Sequence, residues 1–498
     1  MARRILDGTT PVTAGGVTLD APGLTGELVV GRGGGAPTRD ARNELPAALR
    51  QGIRRNRLRR EWHARVISPA HAASTPTRGA PGEATRGPAG HSPEPIAAPE
   101  PIRLAVPAPE PGRGQVVLVR DEHGITTWHL PAPPTRGIEL GPPGSQIFEI
   151  PRYPASTEGQ RLFGLPKIFQ VLTYPLAVAG GAIVDYGLGK WDRRNHPTRL
   201  TAYGVDASQA PIEDKKWNEL AEGPCLLFIH GTFDTISGAF AMLPRTTLQE
   251  LHNRYNHRVI AFDHPTLADS PIANARALMK IVRDRKLMVD IVCHSRGGLV
   301  TRSLAERPGD LATLAPNFSV RTAVLVGSTS NGTDLANADR LKDLLDRLTT
   351  MLSFLPVPAA APAIATIVAV IKSFGAVGIK DAHALDGLDA MSPPRPFLAE
   401  LNKAPSLAAG GSYRAILSDY EPEDPDVKAF FADEFKDYVV FRGANDGMVS
   451  GESTIGKSIK KPFPIETTCS FEKDEHVEHA NYFGQGKTST ALLDWLKG

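Results

Sequence analysis

The chain has 498 residues, and its 56 Lys and Arg against 54 Asp and Glu leave a net charge of +2. That length suits two or three domains, and that balance excludes a surface built throughout for nucleic acid. Three cysteines, Cys225, Cys293 and Cys469, exclude a disulfide framework and fit a reducing, cytoplasmic compartment. Residues 1–8 have no apolar core of the kind a secretory signal needs. Glycine and proline, 47 and 43 residues, exceed their usual share, which points to some chain outside the folded part.

Taken in order, residues 1–68 form a basic N-terminal region, expected to be partly disordered. Residues 1–114 hold 16 arginines, no lysine and 10 acidic residues. Arg50, Arg54, Arg55, Arg57, Arg59, Arg60 and Arg65 crowd into 47–66, where Arg and Leu favour a helix. Such a run reads as a solvated arm, or as a contact for an anionic partner such as a membrane surface, nucleic acid or an acidic protein. Residues 69–114 read as a flexible linker, with 11 prolines between 69 and 112.

From 115 to 222 a small β element is expected, followed by an apolar or helical lead-in. The β-rich runs 115–119 and 125–130 flank Arg120-Asp121-Glu122-His123-Gly124 and read as a hairpin, joined by 146–150. Two uncharged apolar stretches, 168–184 and 351–371, approach the ~20 residues of a membrane span. Pro175, Gly180 and Gly181 interrupt the first, and Pro356, Pro358 and Pro362 the second. Both are expected to be buried or interfacial, with peripheral membrane contact left open.

From 223 to 498 short apolar runs alternate with amphipathic stretches. The runs are 225–229, 258–262, 287–293, 320–326, 413–417, 438–441 and 465–471, and the stretches include 272–285 and 298–306. This pattern predicts an α/β fold, a mostly parallel sheet with helices on both faces. Ligands in such folds bind beyond the carboxyl ends of the strands, so the residues after each run carry the interest.

After the third run comes Cys293-His294-Ser295-Arg296-Gly297-Gly298, then a helical pattern. A serine between strand and helix has the layout of a nucleophile elbow, whose tight turn projects the hydroxyl. Cys293 stands where the pattern G-x-S-x-G has its first glycine, which crowds the turn. His230-Gly231-Thr232 follows the first run. There a backbone amide, that of Thr232, pairs with the amide of Arg296 as the expected oxyanion hole. Asp446, in Asn445-Asp446-Gly447, is the expected acid, with Asp419 as its rival. The base is expected from His476 or His479, ahead of a terminal helix at 489–496. The H-x-x-H spacing of these two lacks the glutamate and cysteines of a zinc site, so no metal is expected. Gly31-Arg32-Gly33-Gly34-Gly35 lacks the Lys-Ser/Thr ending of a phosphate loop, and no cofactor is expected.

Four segments, "LLFIHGTF", "VDIVCHSRGGLVTR", "GANDGMVS" and "HVEHANYF…ALLDWL", resemble the α/β-hydrolase superfamily, within it bacterial lipase- and esterase-like serine hydrolases. The resemblance covers roughly 223–498 and favours Asp446 and His479, although the spacing in some true lipases would pick His476. It implies that the insertion at about 331–406 forms an apolar cap over the site. The implied function is a serine hydrolase cleaving carboxylic esters of a lipophilic substrate, through Ser295, His479 and Asp446. The same residues serve thioesterases, amidases and acyltransferases. The crowded elbow and basic arm leave a further reading, a scaffold protein with a dormant hydrolase domain.

Overall fold

The computed structural model describes all residues except 34–44, 68–99, 134–139, 153–165, 177, 180–181, 184–186, 378–384, 394–395, 404–410, 433–440, 442 and 458–462. Its first part is a β structure. Strands β1 (Ala2–Asp7), β2 (Val12–Ala14), β3 (Val17–Asp20), β4 (Thr25–Arg32), β5 (Arg59–Ile67), β6 (Ile102–Pro107), β7 (Arg113–Asp121), β8 (Thr126–His129), β9 (Ser145–Ile150) and β10 (Pro166–Pro175) form two sheets. Six strands run in the order β1-β4-β5-β10-β7-β8 and four in the order β2-β3-β6-β9. Every pairing within them is antiparallel. One core joins the two sheets: Leu28, Val30, Trp62, Val117 and Phe169 meet Val17, Leu19, Leu104 and Phe148. This is a sandwich.

The expected basic, partly disordered region is therefore corrected. The run 47–66 is a helix only over Ala47–Arg55 and then becomes β5. In β5 the residues Trp62, Ala64 and Val66 are buried, while Arg59 and Arg65 are exposed. Arg59 and Arg65 thus occupy outward positions of a strand. Of the expected linker, 69–99 lies outside the described residues, and the remainder contains β6 and the start of β7. The hairpin expected around Gly124 is the β7–β8 pair, whereas 146–150 lies in the opposite sheet as β9. The first half of the stretch 168–184 is β10, not a helical lead-in, and the short strands Val178–Ala179 and Ala182–Ile183 follow it.

The second part is an eight-stranded sheet. After the short pair β11 (Val178–Ala179) and β12 (Ala182–Ile183) come β13 (Arg199–Tyr203), β14 (Gln209–Pro211), β15 (Cys225–Ile229) and β16 (Val259–Asp263). They are followed by β17 (Leu287–His294), β18 (Phe318–Val326), β19 (Ser412–Ser418) and β20 (Ile465–Phe471). The order is β14-β13-β16-β15-β17-β18-β19-β20. From β16 to β20 all neighbours are parallel, and β13 joins the edge antiparallel. The expected boundary at 223 is thus too late, since β13 and β14 already belong to this sheet. The run 438–441 lies almost wholly outside the described residues.

Side chains of β15 show how the sheet is covered. Cys225, Leu227 and Ile229 face a core shared with the helices Pro271–Val282 and Gly297–Glu306. Leu226 and Phe228 face the helices Arg245–Arg254 and Gly486–Trp495. Burial on both faces explains why these strands read as continuous apolar runs.

Between β18 and β19 the chain forms the helices Leu341–Phe354 and Val357–Val377. Residues 357–376 are long and apolar enough to cross a membrane, but 78% of that window is buried within the protein. The covering comes from the sandwich. Leu49 and Ile53, with Val116, Leu118, Trp128 and Tyr174, share one core with Leu345, Ile364, Ile367, Val368 and Ile371. The helix Ala47–Arg55 comes so close that a β-carbon at Gly52 would lie 2.7 Å from Ile364 Cγ2. Polar bonds fix the same contact. Trp128 donates its N–H to Asp346 Oδ1 (2.8 Å) and its indole N–H to Thr349 Oγ1 (3.0 Å), and Asn56 Nδ2 donates to the Ala365 carbonyl (2.7 Å).

Candidate active site

Ser295 stands between β17 and the helix Gly297–Glu306 with φ +54°. A left-handed conformation is costly for a residue with a β-carbon, and here the surrounding backbone imposes it. The Ser295 N–H donates to the Val326 carbonyl (2.9 Å), and its carbonyl accepts from Gly298 N–H (3.0 Å). Close packing demands the flanking glycines. A β-carbon at Gly297 would lie 2.7 Å from the carbonyl oxygens of Ile229 and His230, and one at Gly231 would lie 2.7 Å from Ser295 Cβ. Cys293 is accommodated because its side chain points into the helix-covered core, where Sγ lies 3.4 Å from the Val324 carbonyl. Burial pushes its thiol up to about 12, so it is no competing nucleophile.

Gly231 brings the loop after β15 against Ser295. Among the described residues, neither the Thr232 amide nor the Arg296 amide has a hydrogen-bond partner. The next amide, Phe233 N–H, donates to Thr266 Oγ1 (3.1 Å). The loop after β16 is held in turn by Asp192, which accepts the N–H groups of Leu267 (2.8 Å) and Ala268 (2.9 Å). His196 Nδ1 lies 2.7 Å from the same carboxylate, and its Nε2 lies 3.2 Å from Thr366 Oγ1 on the helix Val357–Val377. The Arg296 side chain is fully buried and donates to the Gly387 carbonyl (3.0 Å) and Asn274 Oδ1 (3.0 Å). The two amides thus sit on a scaffold that reaches into the insertion.

His479 Nδ1 lies 2.8 Å from Asp446 Oδ2, and both residues are buried. Asp446 sits in a turn in which its Oδ1 accepts from Met448 N–H (3.0 Å) and Val449 N–H (2.7 Å). Tyr482 donates its hydroxyl to Asp446 Oδ2 (3.1 Å). Burial alone would pull the His479 imidazole down, but the adjoining Asp446 carboxylate carries it above the ordinary histidine value. His294, its ring tilted by 38° to that of His479 at 4.7 Å between centres, lies 2.9 Å through Nε2 from the His479 carbonyl. Burial pushes His294 down to about 3 and His230 down to about 4, so both are neutral.

Of the rival residues, His476 lies elsewhere, its Nδ1 on the Glu421 carbonyl (2.6 Å) and its Nε2 3.4 Å from Glu423. Asp419 caps the end of β20 through its amide, bonded to the Phe471 carbonyl (2.9 Å). Among the described residues, no bond joins Asp419 to either histidine.

Ser295 and His479 open onto one cavity with about 590 Å³ of space free of atoms, part of it open to solvent. Leu344, Leu348 and Leu352, at successive turns of the helix Leu341–Phe354, form an apolar wall with Ala363, Met448 and Val449. Thr232, Asp234 and His294 supply polar edges. The sequence left Tyr482, Asp192, His196, Asp234 and His294 without a task. His294 and Asp234 are sequence neighbours of Ser295 and Thr232, and Tyr482 follows His479 by three residues, whereas Asp192 and His196 are joined to the site only through space. A separate group outside the cavity lining, His123 with Asp424 and Asp426, brings ligand-type atoms within 4.8 Å of one another. There His123 Nδ1 lies 2.8 Å from Asp424 and Nε2 3.0 Å from Asp426.

The serine on a left-handed elbow, the parallel strand order and the paired histidine and aspartate on loops at the strands' carboxyl ends define an α/β-hydrolase fold. Within it the chain belongs to the family of DUF7379, a domain of unknown function, which matches residues 194–497. No curated protein matches the sequence. Among solved structures, phospholipase PlaB from Legionella pneumophila is 17% identical over 47% of this chain and 45% of that one, with a TM-score of 0.31. This chain therefore spans less than half of that phospholipase. Lipase 1 from Pelosinus fermentans is 14% identical over 55% of this chain and 98% of that one, with a TM-score of 0.37. The lin2722 gene product from Listeria innocua is 15% identical over 55% and 94%, with a TM-score of 0.30.

Proposed function

We propose that this protein is a serine hydrolase that cleaves carboxylic esters with a lipophilic part. The observation that carries the reading is one constellation: a strained serine and an aspartate-paired histidine open on the same apolar-walled cavity. Ser295 Oγ attacks the ester carbonyl carbon, and His479 Nε2 takes the hydroxyl proton. Asp446 holds the Nδ1–H tautomer and stabilises the imidazolium. The amides of Thr232 and Arg296 hold the oxyanion, each donor being worth ~10²–10³ in rate. Collapse expels the alcohol, which receives the proton from His479. Water, deprotonated by the same imidazole, then releases the acid and regenerates Ser295. The wall of Leu344, Leu348 and Leu352 keeps water out and receives the hydrocarbon chain.

The test is labelling by a fluorophosphonate, comparing wild type with Ser295→Ala and His479→Ala. Labelling of the wild type alone is expected, together with turnover of medium-chain esters. A folded wild type that neither reacts nor hydrolyses esters would overturn the reading. Matched thioester and amide substrates separate ester cleavage from the other acyl transfers.

A further inference from the structure

The chemistry above leaves one carboxyl group in the same cavity without a task. Asp234 lines that cavity together with Ser295. It follows Thr232 by two residues, so its Cα is within ~7 Å of the Cα that carries the proposed oxyanion donor. The side chain is held in place on one side. Oδ1 accepts the Thr235 N–H (2.8 Å). A β-carbon at Gly238 would lie 2.1 Å from that oxygen and 3.0 Å from Pro362 Cγ, so only glycine there admits the carboxyl group beneath the insertion helix.

Among the described residues, no Lys, Arg or His pairs with Asp234, and the Thr235 N–H is the one hydrogen bond it receives. Asp234 is only partly buried, and a carboxyl group has capacity for about four hydrogen bonds, so most of that capacity is open to a partner entering the cavity. Phe233, Ala363 and Leu348 of the same lining are apolar. Burial, with Asp263 adding to it, pushes this carboxyl up to about 8. That direction favours the protonated form, which can both donate and accept. A neutral hydroxyl suits such a partner better than an ammonium ion, whose desolvation beside apolar side chains costs more.

Resting on the ester-hydrolase reading, we propose that Asp234 is a specificity residue that hydrogen-bonds a substrate hydroxyl a few bonds from the scissile carbonyl. The preferred substrates are then hydroxyl-bearing esters rather than simple alkyl esters. A site built to bond a hydroxyl discriminates strongly against an analogue that lacks it.

The experiment measures kcat/KM for two matched pairs: 2-hydroxyethyl against propyl octanoate, and methyl 3-hydroxyoctanoate against methyl octanoate. Wild type, Asp234→Asn and Asp234→Leu are compared, each with fluorophosphonate labelling of Ser295 as a check on the folded site. Wild type is expected to favour the hydroxyl member of at least one pair by about ten-fold or more. Asp234→Leu should bring that ratio to one or below, and Asp234→Asn, which still donates and accepts, should retain part of it. Turnover and labelling with the same ratio in wild type and Asp234→Leu would overturn the Asp234 assignment alone. Stronger preference for a protonated 2-(dimethylamino)ethyl ester than for the hydroxyl esters would overturn the choice of a hydroxyl. A wild type with neither labelling nor turnover would overturn the ester-hydrolase reading, and this inference with it.

Discussion

The two large sheets of this protein solve the same burial problem in opposite ways. The eight-stranded sheet is parallel through its centre and covered by its own crossover helices, so its strand ends stay free for loops that carry side chains into a site. The six-stranded sheet is antiparallel. One face packs on the four-stranded sheet, and part of the other packs on the insertion helices. It carries none of the candidate active-site residues. With the helix Ala47–Arg55 it covers part of the apolar helix Val357–Val377. The lesson is a division of labour, in which one sheet positions the chemistry and the other backs the wall of the cavity.

That division predicts separable failures. Asp446→Asn should break the first region only. It leaves the fold and costs about 10⁴ in kcat, since the asparagine favours the wrong imidazole tautomer, and steady-state kinetics beside an unchanged melting curve would show it. Trp128→Ala should break the contact between the regions. It removes a fully buried indole and two hydrogen bonds to the helix Leu341–Phe354. A loss of about 3–5 kcal/mol in denaturant unfolding is expected, with chain-length preference weakened among the esters still cleaved.

Tyr482→Phe sharpens the account of the first region. It deletes one hydrogen bond to Asp446 Oδ2, which should cost roughly 1–2 kcal/mol of transition-state stabilisation, read as about ten-fold in kcat/KM. The smallest effect is expected at the second contact between the regions, where the β7–β8 turn meets the helix Pro425–Phe431. Burial lowers His123, but Asp424, Asp426 and Asp121 together hold it above the ordinary histidine value. Glu122 adds a further carboxylate 3.8 Å away, and Arg120 lies three residues before His123 at the end of β7. Because the folded value is raised, the stabilisation is full below the ordinary value near 6.5 and fades as pH rises through the folded one. Melting temperatures of wild type should therefore fall relative to His123→Ala across that window, by a degree or two at most. Under the proposed mechanism His479 has its own signature: kcat/KM should fall with decreasing pH through a pKa above the ordinary histidine value, because only a neutral imidazole takes the serine proton.

Much of the eight-stranded sheet was legible. The runs 225–229 and 465–471 coincide with β15 and β20, and most of the others lie within a residue or two of β16–β19. A strand buried on both faces must be apolar throughout, and such a run needs no partner to be recognised. The sandwich was hidden because β5 reads Arg-Arg-Glu-Trp-His-Ala-Arg-Val-Ile, with bulky charge on its outward positions. Its inward alternation is clear only once the facing sheet is known. Ser295, Asp446 and His479 were legible as candidates because each sits in a local turn pattern. The choice of His479 over His476 was not settled by spacing, since both follow the same run.

The amino-acid sequence by itself determined the α/β alternation, the elbow at Ser295 and the chain order of candidate residues, because these depend on local periodicity and on turns a few residues long. Tertiary structure alone decided that the arginine-rich N-terminus is a sandwich. It alone decided that the helix Val357–Val377 is covered by that sandwich, and that His479 rather than His476 meets Asp446. It also brought Asp192 to the loop behind the site. These outcomes depend on which surfaces find each other across hundreds of residues. Burial and hydrogen bonding fix them only when both partners are in place.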